Sequence, residues 1–203
     1  MNIREYGVLF WTVVGIITLL VASPALSRLL VYPQTEFFTE MWLLGSNHTA
    51  EDYPFNITSG QTYNIYLYLA NHLGYSAYYV VEVKFRNSTQ SAPTSFGPPA
   101  NQTPSSLPSL FNITAFVADE ATWETPLTFS FDYAVNETLM RVSFKSMTLN
   151  GVMLDLNGYN TSWNATRNMF PSNLVFELWL YNSTTNSFKY NQRFLSLWLN
   201  MTG

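Results

Sequence analysis

The chain has 203 residues, a formal net charge of −4 and only 11% charged residues, and it contains no cysteine. A mildly acidic chain of this kind lacks the basic surface that nucleic-acid binding requires, and the missing cysteines exclude disulfides, thiolate metal ligands and cysteine nucleophiles. Disorder is also excluded, because 17% aromatic and 47% hydrophobic residues supply ample apolar surface for a core.

The first element is the apolar stretch at residues 7–26, which reads VLFWTVVGIITLLVASPAL from Val8 to Leu26. About 20 such residues in a helix cross the roughly 30 Å hydrocarbon core of a bilayer. We therefore expect one transmembrane anchor, with residues 1–6 in the cytoplasm. The alternative is a signal peptide cleaved near Ser23, because Arg4 gives the segment a basic start. The apolar run is longer than most signal-peptide cores, which favours an uncleaved segment.

The motif N-x-[ST] is unusually frequent after this stretch. Ten such sequons predict a heavily N-glycosylated, extracellular domain at the cell membrane. The alternative is that a polar, threonine-rich surface produces sequons by accident. The acceptor residues are Asn47, Asn56, Asn87, Asn101, Asn112, Asn136, Asn160, Asn164, Asn182 and Asn200.

Beyond the anchor, residues 27–35 are expected to form a juxtamembrane link, since Pro33 cannot continue a helix. The extracellular domain is expected to cover residues 36–203 and to begin with a strand at 36–44. The alternating pattern at residues 61–70 predicts a second strand. Its apolar face carries Tyr63, Ile65, Leu67 and Leu69, and its other face carries Asn64, Tyr66 and Tyr68.

A turn at residues 71–74 and a second alternating segment at 78–86 predict that these two strands form a hairpin. In that segment the apolar face is expected to carry Tyr79, Val81, Val83 and Phe85, with Glu82, Lys84 and Arg86 turned outward. Residues 87–109 are rich in proline and serine and predict a long loop, whose sequons at Asn87 and Asn101 we expect to be the most accessible.

Further strand patterns follow at residues 127–133, 140–145, 152–156, 174–180 and 188–199. The dipeptide Asn150-Gly151 predicts a tight hairpin turn between two of them. In the 174–180 segment, Glu177 falls on the face opposite the leucines. Seven or eight short antiparallel strands without an amphipathic helix predict an all-β, immunoglobulin-like antiparallel β-sandwich that follows the single N-terminal transmembrane helix.

Several short motifs in the first half of the domain form a recognisable set. Residues 38–45 read F-T-E-M-W-L-L-G, Tyr53-Pro54 and Gly60 follow, and Asn71-His72 marks the predicted turn. Together they resemble an archaeal membrane-protein family of unknown function. The resemblance implies a surface-exposed sandwich in an archaeon and supplies no catalytic residues. Family members often carry several membrane helices before this domain, whereas one is predicted here.

Motifs that carry chemistry are few. The chain has no G-x-S-x-G, P-loop, H-E-x-x-H or Rossmann pattern. His48 and His72 are expected in turns, and the acidic residues of the segment DEATWE, 119–124, lack the spacing of a calcium loop. We therefore expect no enzyme activity, no cofactor and no metal.

The remaining candidates for a working surface are Tyr66, Tyr68 and Tyr78, which lie opposite the apolar face of their strands. Either this face is buried as well, or these tyrosines form an interface, for which large, rigid side chains with a polar tip are suited. We expect an accessory protein that docks onto an envelope protein or a membrane complex. The alternative is a secreted filament or adhesin subunit that polymerises by exchanging the strand at 36–44 with copies of itself after signal cleavage.

Overall fold

The computed structural model describes residues 3–29, 37–87, 89–94 and 101–202. The chain divides into two compact units, residues 1–36 and residues 37–203. The first unit contains the helix α1 (Ile3–Leu29) and the second contains only strands and their connections among its described residues. The expected all-β domain behind one apolar helix is thereby confirmed at this coarse level.

Helix α1 contains the predicted membrane-crossing stretch. Its segment Tyr6–Ser23 is long and apolar enough to cross a membrane. The hydroxyl groups of Thr12 and Thr18 donate hydrogen bonds to carbonyl oxygens one turn earlier, at 2.9 and 2.8 Å, so these two polar groups are satisfied within the helix. The helix continues to Leu29, so the link predicted at residues 27–35 begins later than expected; residues 30–36 lie outside the described residues.

The second unit has eleven strands within its described residues. In chain order they are β1 (Phe38–Leu44), β2 (Asn56–Thr58), β3 (Tyr63–His72), β4 (Ala77–Asn87), β5 (Phe111–Val117), β6 (Ala121–Asn136), β7 (Arg141–Leu149), β8 (Val152–Asp155), β9 (Asn160–Ser162), β10 (Pro171–Asn182) and β11 (Ser187–Thr202).

These strands form two sheets. The six-stranded sheet has the order β1-β3-β6-β7-β8, and β9 also pairs with β7. The five-stranded sheet has the order β2-β11-β10-β4-β5. All pairs are antiparallel except the short pair of β2 with β11, which is parallel.

One hydrophobic core receives side chains from both sheets. Phe85 of the five-stranded sheet lies close to two phenylalanines of the six-stranded sheet, with ring centroids 4.8 Å from Phe144 and 5.6 Å from Phe131. Such edge-on and tilted contacts are the favoured geometry for aromatic pairs. The alternation predicted for β3 is confirmed, because Ile65, Leu67 and Leu69 are fully buried.

The predicted hairpin between residues 61–70 and 78–86 is wrong. Both segments are strands, but β3 pairs with β1 and β6, whereas β4 pairs with β10 and β5. The connection at residues 73–76 therefore passes from one sheet to the other. Two alternating strands bury their apolar faces equally well side by side in one sheet or opposite each other across a core, so the pattern does not decide between these arrangements.

The Asn150-Gly151 turn is confirmed. Both residues have positive φ angles, 47° and 80°, and Leu149 pairs with Val152 across the turn. A two-residue turn with this geometry matches the twist of the strands that it joins. The segment 111–117, by contrast, was not predicted as a strand and forms β5 at the edge of the five-stranded sheet.

The outer face of the five-stranded sheet holds a buried ionic cluster that contradicts the expected outward exposure of Lys84, which is buried. Lys84 Nζ lies 2.7 Å from Glu177 Oε2 and 3.0 Å from Glu82 Oε2, and the Glu177 side chain is fully buried. The backbone N–H of Ser105 donates to Glu177 Oε1 at 2.9 Å. The loop that contains Ser105 therefore covers part of this face, and the charges are tolerated because they pair with each other.

Candidate functional site

Two of the predicted interface residues form an aromatic cluster on the outer face of the six-stranded sheet. Strand β3 places Tyr66 and Tyr68 two residues apart on this face, and the register sets Trp42 of β1 opposite Tyr68. The rings of Trp42 and Tyr68 stack with a centroid distance of 5.2 Å and an interplanar angle of 7°. All three side chains are partly buried, so they are neither core residues nor fully exposed.

His48 completes this cluster from the loop that follows β1. Its ring stacks on Tyr66 with a centroid distance of 3.7 Å, and its Nδ1 lies 2.8 Å from the hydroxyl oxygen of Tyr68. The same nitrogen is 3.5 Å from Glu124 Oε1 on β6. We call Trp42, His48, Tyr66, Tyr68 and Glu124 the aromatic–acid cluster.

A glycine allows the loop to fold back over the sheet in this way. A Cβ atom at Gly45 would lie 2.1 Å from the carbonyl oxygen of Glu51, which is far inside contact distance. The backbone N–H of Gly45 instead donates to the carbonyl of Thr49 at 2.8 Å. The tight turn that this closes carries His48, whose φ of 57° is left-handed, onto Tyr66.

The environment of Tyr68 keeps its hydroxyl protonated over a wide pH range. Partial burial, a hydrogen bond to Glu124 and the negative charge of that carboxylate together raise the pKa of Tyr68 from 10.0 to about 12. The cluster therefore presents the protonated phenol of Tyr68, together with the side chains of His48 and Glu124, around stacked rings. Such a surface can bind through apolar contact and through directed hydrogen bonds.

The surroundings of the cluster are acidic. Glu40 lies on the same face of β1 as Trp42, and Glu51 and Asp52 lie in the loop next to His48. Between Arg28 and Lys84 the sequence contains no lysine or arginine. The chain segments that supply Trp42, His48, Tyr66 and Tyr68 therefore contribute acidic but no basic side chains to this part of the domain.

Tyr78 does not join the other two tyrosines, because β4 belongs to the five-stranded sheet. It packs instead against Tyr181 and Phe188, with centroid distances of 6.2 and 5.3 Å. On the neighbouring strand β5, Phe116 lies opposite Tyr78 in the register. The structure thus places the predicted interface residues on two separate surfaces.

The ten sequon asparagines fall into two groups. Asn47, Asn56, Asn101, Asn112 and Asn136 are exposed, whereas Asn87, Asn160, Asn164, Asn182 and Asn200 are partly buried. Among contacts between described residues, the acceptor nitrogen Nδ2 of three of the ten donates a hydrogen bond, at 2.9 to 3.2 Å. Asn87 donates to the carbonyl of Asn160, Asn160 to the carbonyl of Gly158, and Asn200 to Oδ1 of Asn56. The expected accessibility of Asn87 is therefore wrong, because β4 extends through it.

The acidic segment 119–124 does not converge on one point. Asp119 accepts a hydrogen bond from the backbone N–H of Gly74 at 2.8 Å, Glu120 lies 2.7 Å from Nδ1 of His72, and Glu124 belongs to the aromatic–acid cluster. Within the described residues, no group of three or more His, Asp or Glu side chains is arranged to hold a metal ion.

Sequence reasoning missed Trp42 and His48 as members of the cluster. The alternation of β1 contains a signal for Trp42, because Thr39 and Leu43 are buried and the intervening even-numbered residues face out. No such signal exists for His48, whose position depends on the fold-back of its loop.

The chain is thus a β-rich domain, preceded by an apolar helix, with an aromatic–acid cluster on one sheet. The family described as "Domain of unknown function (DUF1616)" matches residues 33–145, which is more than half of the chain. The chain belongs to this family. The expected membership of a family of unknown function is thereby confirmed.

Among curated proteins, no sequence matches this chain. Among solved structures, it is similar to the β-glucosidase from Listeria innocua in complex with gluconolactone, with 8% identity and a TM-score of 0.38. The isofagomine complex of that enzyme gives 7% identity and a TM-score of 0.37. In both comparisons the match covers 85% of this chain, but this chain spans only 17% of the β-glucosidase chain. Such scores assign neither a fold nor an activity.

Proposed function

We propose that this protein is an N-glycosylated, single-pass accessory protein of the cell surface, without catalytic activity, that docks its β domain onto an envelope protein or a membrane complex. Helix α1 supports the membrane anchor by its length and apolar composition. Ten sequons after the anchor support an extracellular domain, in line with the resemblance to archaeal membrane proteins.

The observation that carries the docking proposal is the aromatic–acid cluster. Its stacked rings offer rigid apolar area, and the phenol of Tyr68, the imidazole of His48 and the carboxylate of Glu124 offer directed hydrogen bonds. Carboxylates surround it without a nearby basic residue in β1 or β3. The partner that fits is a protein surface that presents arginine or lysine beside apolar side chains.

For the fold, we propose an immunoglobulin-like sandwich. Two sheets of short strands that share one core support this architecture. The parallel pairing of β2 with β11 is a departure from the purely antiparallel arrangement that the sequence predicts.

The alternative of a filament that forms by strand exchange has less support from the geometry. Strand β1, the expected donor, pairs with β3 of the same chain over seven residues, from Phe38 opposite His72 to Leu44 opposite Tyr66. Exchange would first have to break this whole ladder. A mature protein with an intact N-terminus would also contradict strand exchange, because that hypothesis requires cleavage of the N-terminal segment.

The experiment is a comparison of partners captured by the intact protein and by a Tyr66→Ser/Tyr68→Ser variant. Cells that express each full-length form are cross-linked, the protein is purified from membranes, and cross-linked peptides are identified. We expect the double variant to lose one membrane or envelope protein that the wild type retains. The matched control is Tyr78→Ser on the other sheet, which should retain it. A folded double variant that keeps every partner would refute docking through this cluster.

A further inference from the structure

One end of the β domain is defined by the point at which the chain enters it. Strand β1 starts at Phe38, which pairs with His72 at the end of β3, and Ala77 at the start of β4 pairs with Val117 at the end of β5. The side chain of Asn71 donates to the carbonyl of Val117 at 3.0 Å and joins the two sheets here. We call this the near end, and the opposite end, at Asn87 and Asn136, the far end.

The near end carries several exposed aromatic side chains. Phe37 and Phe116 are 67% and 70% exposed, and Tyr75, Tyr78 and Phe38 are also exposed. Phe37 lies over the turn at residues 73–76, where Gly74 leaves room for its ring. Monomeric domains seldom leave large aromatic side chains grouped in water, which indicates that something covers this end.

The length of the connection between α1 and the β domain indicates what can cover the near end. Seven residues, 30–36, separate the last residue of α1 from Phe37. Seven residues reach at most about 25 Å even when fully extended. If α1 is embedded in a membrane, the near end cannot be far from the lipid headgroups.

The distribution of sequons agrees with this assignment. Six of the ten acceptor residues lie at the far end, on the ends of strands or in the adjoining connections: Asn56, Asn87, Asn136, Asn160, Asn164 and Asn200. Asn182, at the end of β10, is the one sequon placed at the near end among the strand termini that the structure describes. A glycan on any of these far-end asparagines, such as the exposed Asn136, would point away from a membrane at the near end.

Two acidic side chains at the near end have local partners. Asp119 accepts a hydrogen bond from the backbone of Gly74, and Glu120 lies against His72. Aromatic rings flanked by polar groups are the composition found where proteins meet the headgroup region of a bilayer.

We infer that the near end of the β domain is a membrane-contacting surface, with Phe37, Tyr75 and Phe116 at the lipid–water interface. This inference rests on the proposed function, because it requires α1 to be inserted in a membrane. The inference makes the outer leaflet of the membrane the partner of the near end. The aromatic–acid cluster then remains available to bind a protein partner.

The absence of cysteine makes a direct test possible, because any introduced cysteine is a unique labelling site. Three full-length variants are labelled with an environment-sensitive fluorophore and reconstituted into phosphatidylcholine vesicles. Phe116→Cys reports on the near end, and Gly15→Cys reports on α1. Leu139→Cys at the far end is the matched control, since Leu139 is 68% exposed against 70% for Phe116.

We expect headgroup-spin-labelled lipids to quench the label at position 116 roughly twofold or more above the label at 139, as for side chains in the interfacial region. Chain-labelled lipids should quench the label at position 15. Equal quenching at 116 and 139, with strong quenching at 15, would overturn the membrane-contacting surface and leave the anchor standing. Without quenching at 15, the anchor itself is wrong and the proposed function falls with the inference.

Discussion

At the scale of single residues, the two faces of one strand separate the core from the proposed docking surface. On β3, Leu67 is fully buried in the core that both sheets share, whereas its neighbours Tyr66 and Tyr68 belong to the aromatic–acid cluster. Because side chains alternate along a strand, a change at one position leaves the other face in place. Substitutions on the inward face of β3 therefore test folding, and substitutions on its outward face test the proposed docking.

The first prediction concerns the buried face. Leu67→Ala should lower the free energy of unfolding by about 2–5 kcal/mol, because it removes buried methyl groups and leaves a cavity. Asn64→Ala, on the exposed part of the same strand, should have little effect. Chemical denaturation in detergent measures both. Equal small losses would mean that the strand is placed with the wrong face inward.

The second prediction concerns glycosylation. Asn47, Asn101, Asn112 and Asn136 are exposed and do not donate from Nδ2 to the described part of the protein, so we expect them to be occupied. At Asn87, Asn160 and Asn200 the acceptor nitrogen is engaged in a hydrogen bond, and we expect low occupancy if transfer follows folding. Glycopeptide mass spectrometry compares the two groups. Higher occupancy at Asn87 than at Asn136 would contradict the prediction.

The third prediction concerns pH. Partial burial raises the pKa of Tyr68 and of Tyr190 from 10.0 to about 12. In the unfolded chain these phenols ionise near pH 10, where the folded protein still holds them protonated, so their contribution to stability is complete below that pH and is lost toward pH 12. Melting temperatures measured across this range should fall, and more steeply for the wild type than for Tyr68→Phe. Parallel curves would refute the assignment for Tyr68.

At the scale of elements, the loop and the sheet that it covers are held together by charge rather than by apolar contact alone. Lys84 of β4 and Glu177 of β10 lie on adjacent strands, and the loop contributes the backbone N–H of Ser105. Both charges are out of water, so each depends on the other. This pair ties the segment between β4 and β5 to the outer face of the five-stranded sheet.

The fourth prediction follows from that dependence. Glu177→Ala should cost about 3–5 kcal/mol, because it leaves the Lys84 ammonium buried without a counter-charge. It should also speed proteolysis within the loop. The control is Lys145→Ala, which breaks an exposed pair with Asp132 at 3.5 Å and should cost less than about 1 kcal/mol. A Glu177→Ala variant as stable as this control would show that the pair does not hold the loop.

Sequence patterns predicted the strands better than their partners. The alternation of residues 61–70 and 78–86 identified two strands and the correct inward face of each, but loop length and turn chemistry did not reveal that β3 and β4 lie in different sheets. Strand β5 was not predicted from the sequence because it directly follows a proline-rich loop. The cluster could be predicted only in part. Tyr66 and Tyr68 follow from alternation, whereas His48 is brought in by a loop and Glu124 by a strand, 56 residues beyond Tyr68 in the chain.

At the scale of the whole molecule, the apolar helix and the sequons together support the proposal that the chain crosses a membrane once. Helix α1 is the one described element that is long and apolar enough to cross it, and all ten sequons follow it in the chain. Glycan transfer to them requires the domain to be outside the cytoplasm. Under the proposed function, the far end, where six of the ten sequons lie, is the part of the domain that faces away from the cell.

The fifth prediction is therefore about topology. Protease added to intact cells should digest the β domain and leave a short membrane-protected fragment that contains residues 1–6, because the anchor shields it. A cytoplasmic protein serves as the integrity control and a known surface protein as the digestion control. Full protection of the β domain while the surface control is digested would reverse the assigned orientation.

The entry of the chain into β1 also determines how the domain responds to mechanical force. Tension between an anchored N-terminus and a partner held at Tyr66 and Tyr68 must pass from β1 to β3, since these strands form a continuous seven-residue ladder. A pull applied at the start of β1 and directed along that strand would load all rungs of the ladder in shear at once instead of opening them one after another. A cell-surface domain attached in this way would yield abruptly and only at high load.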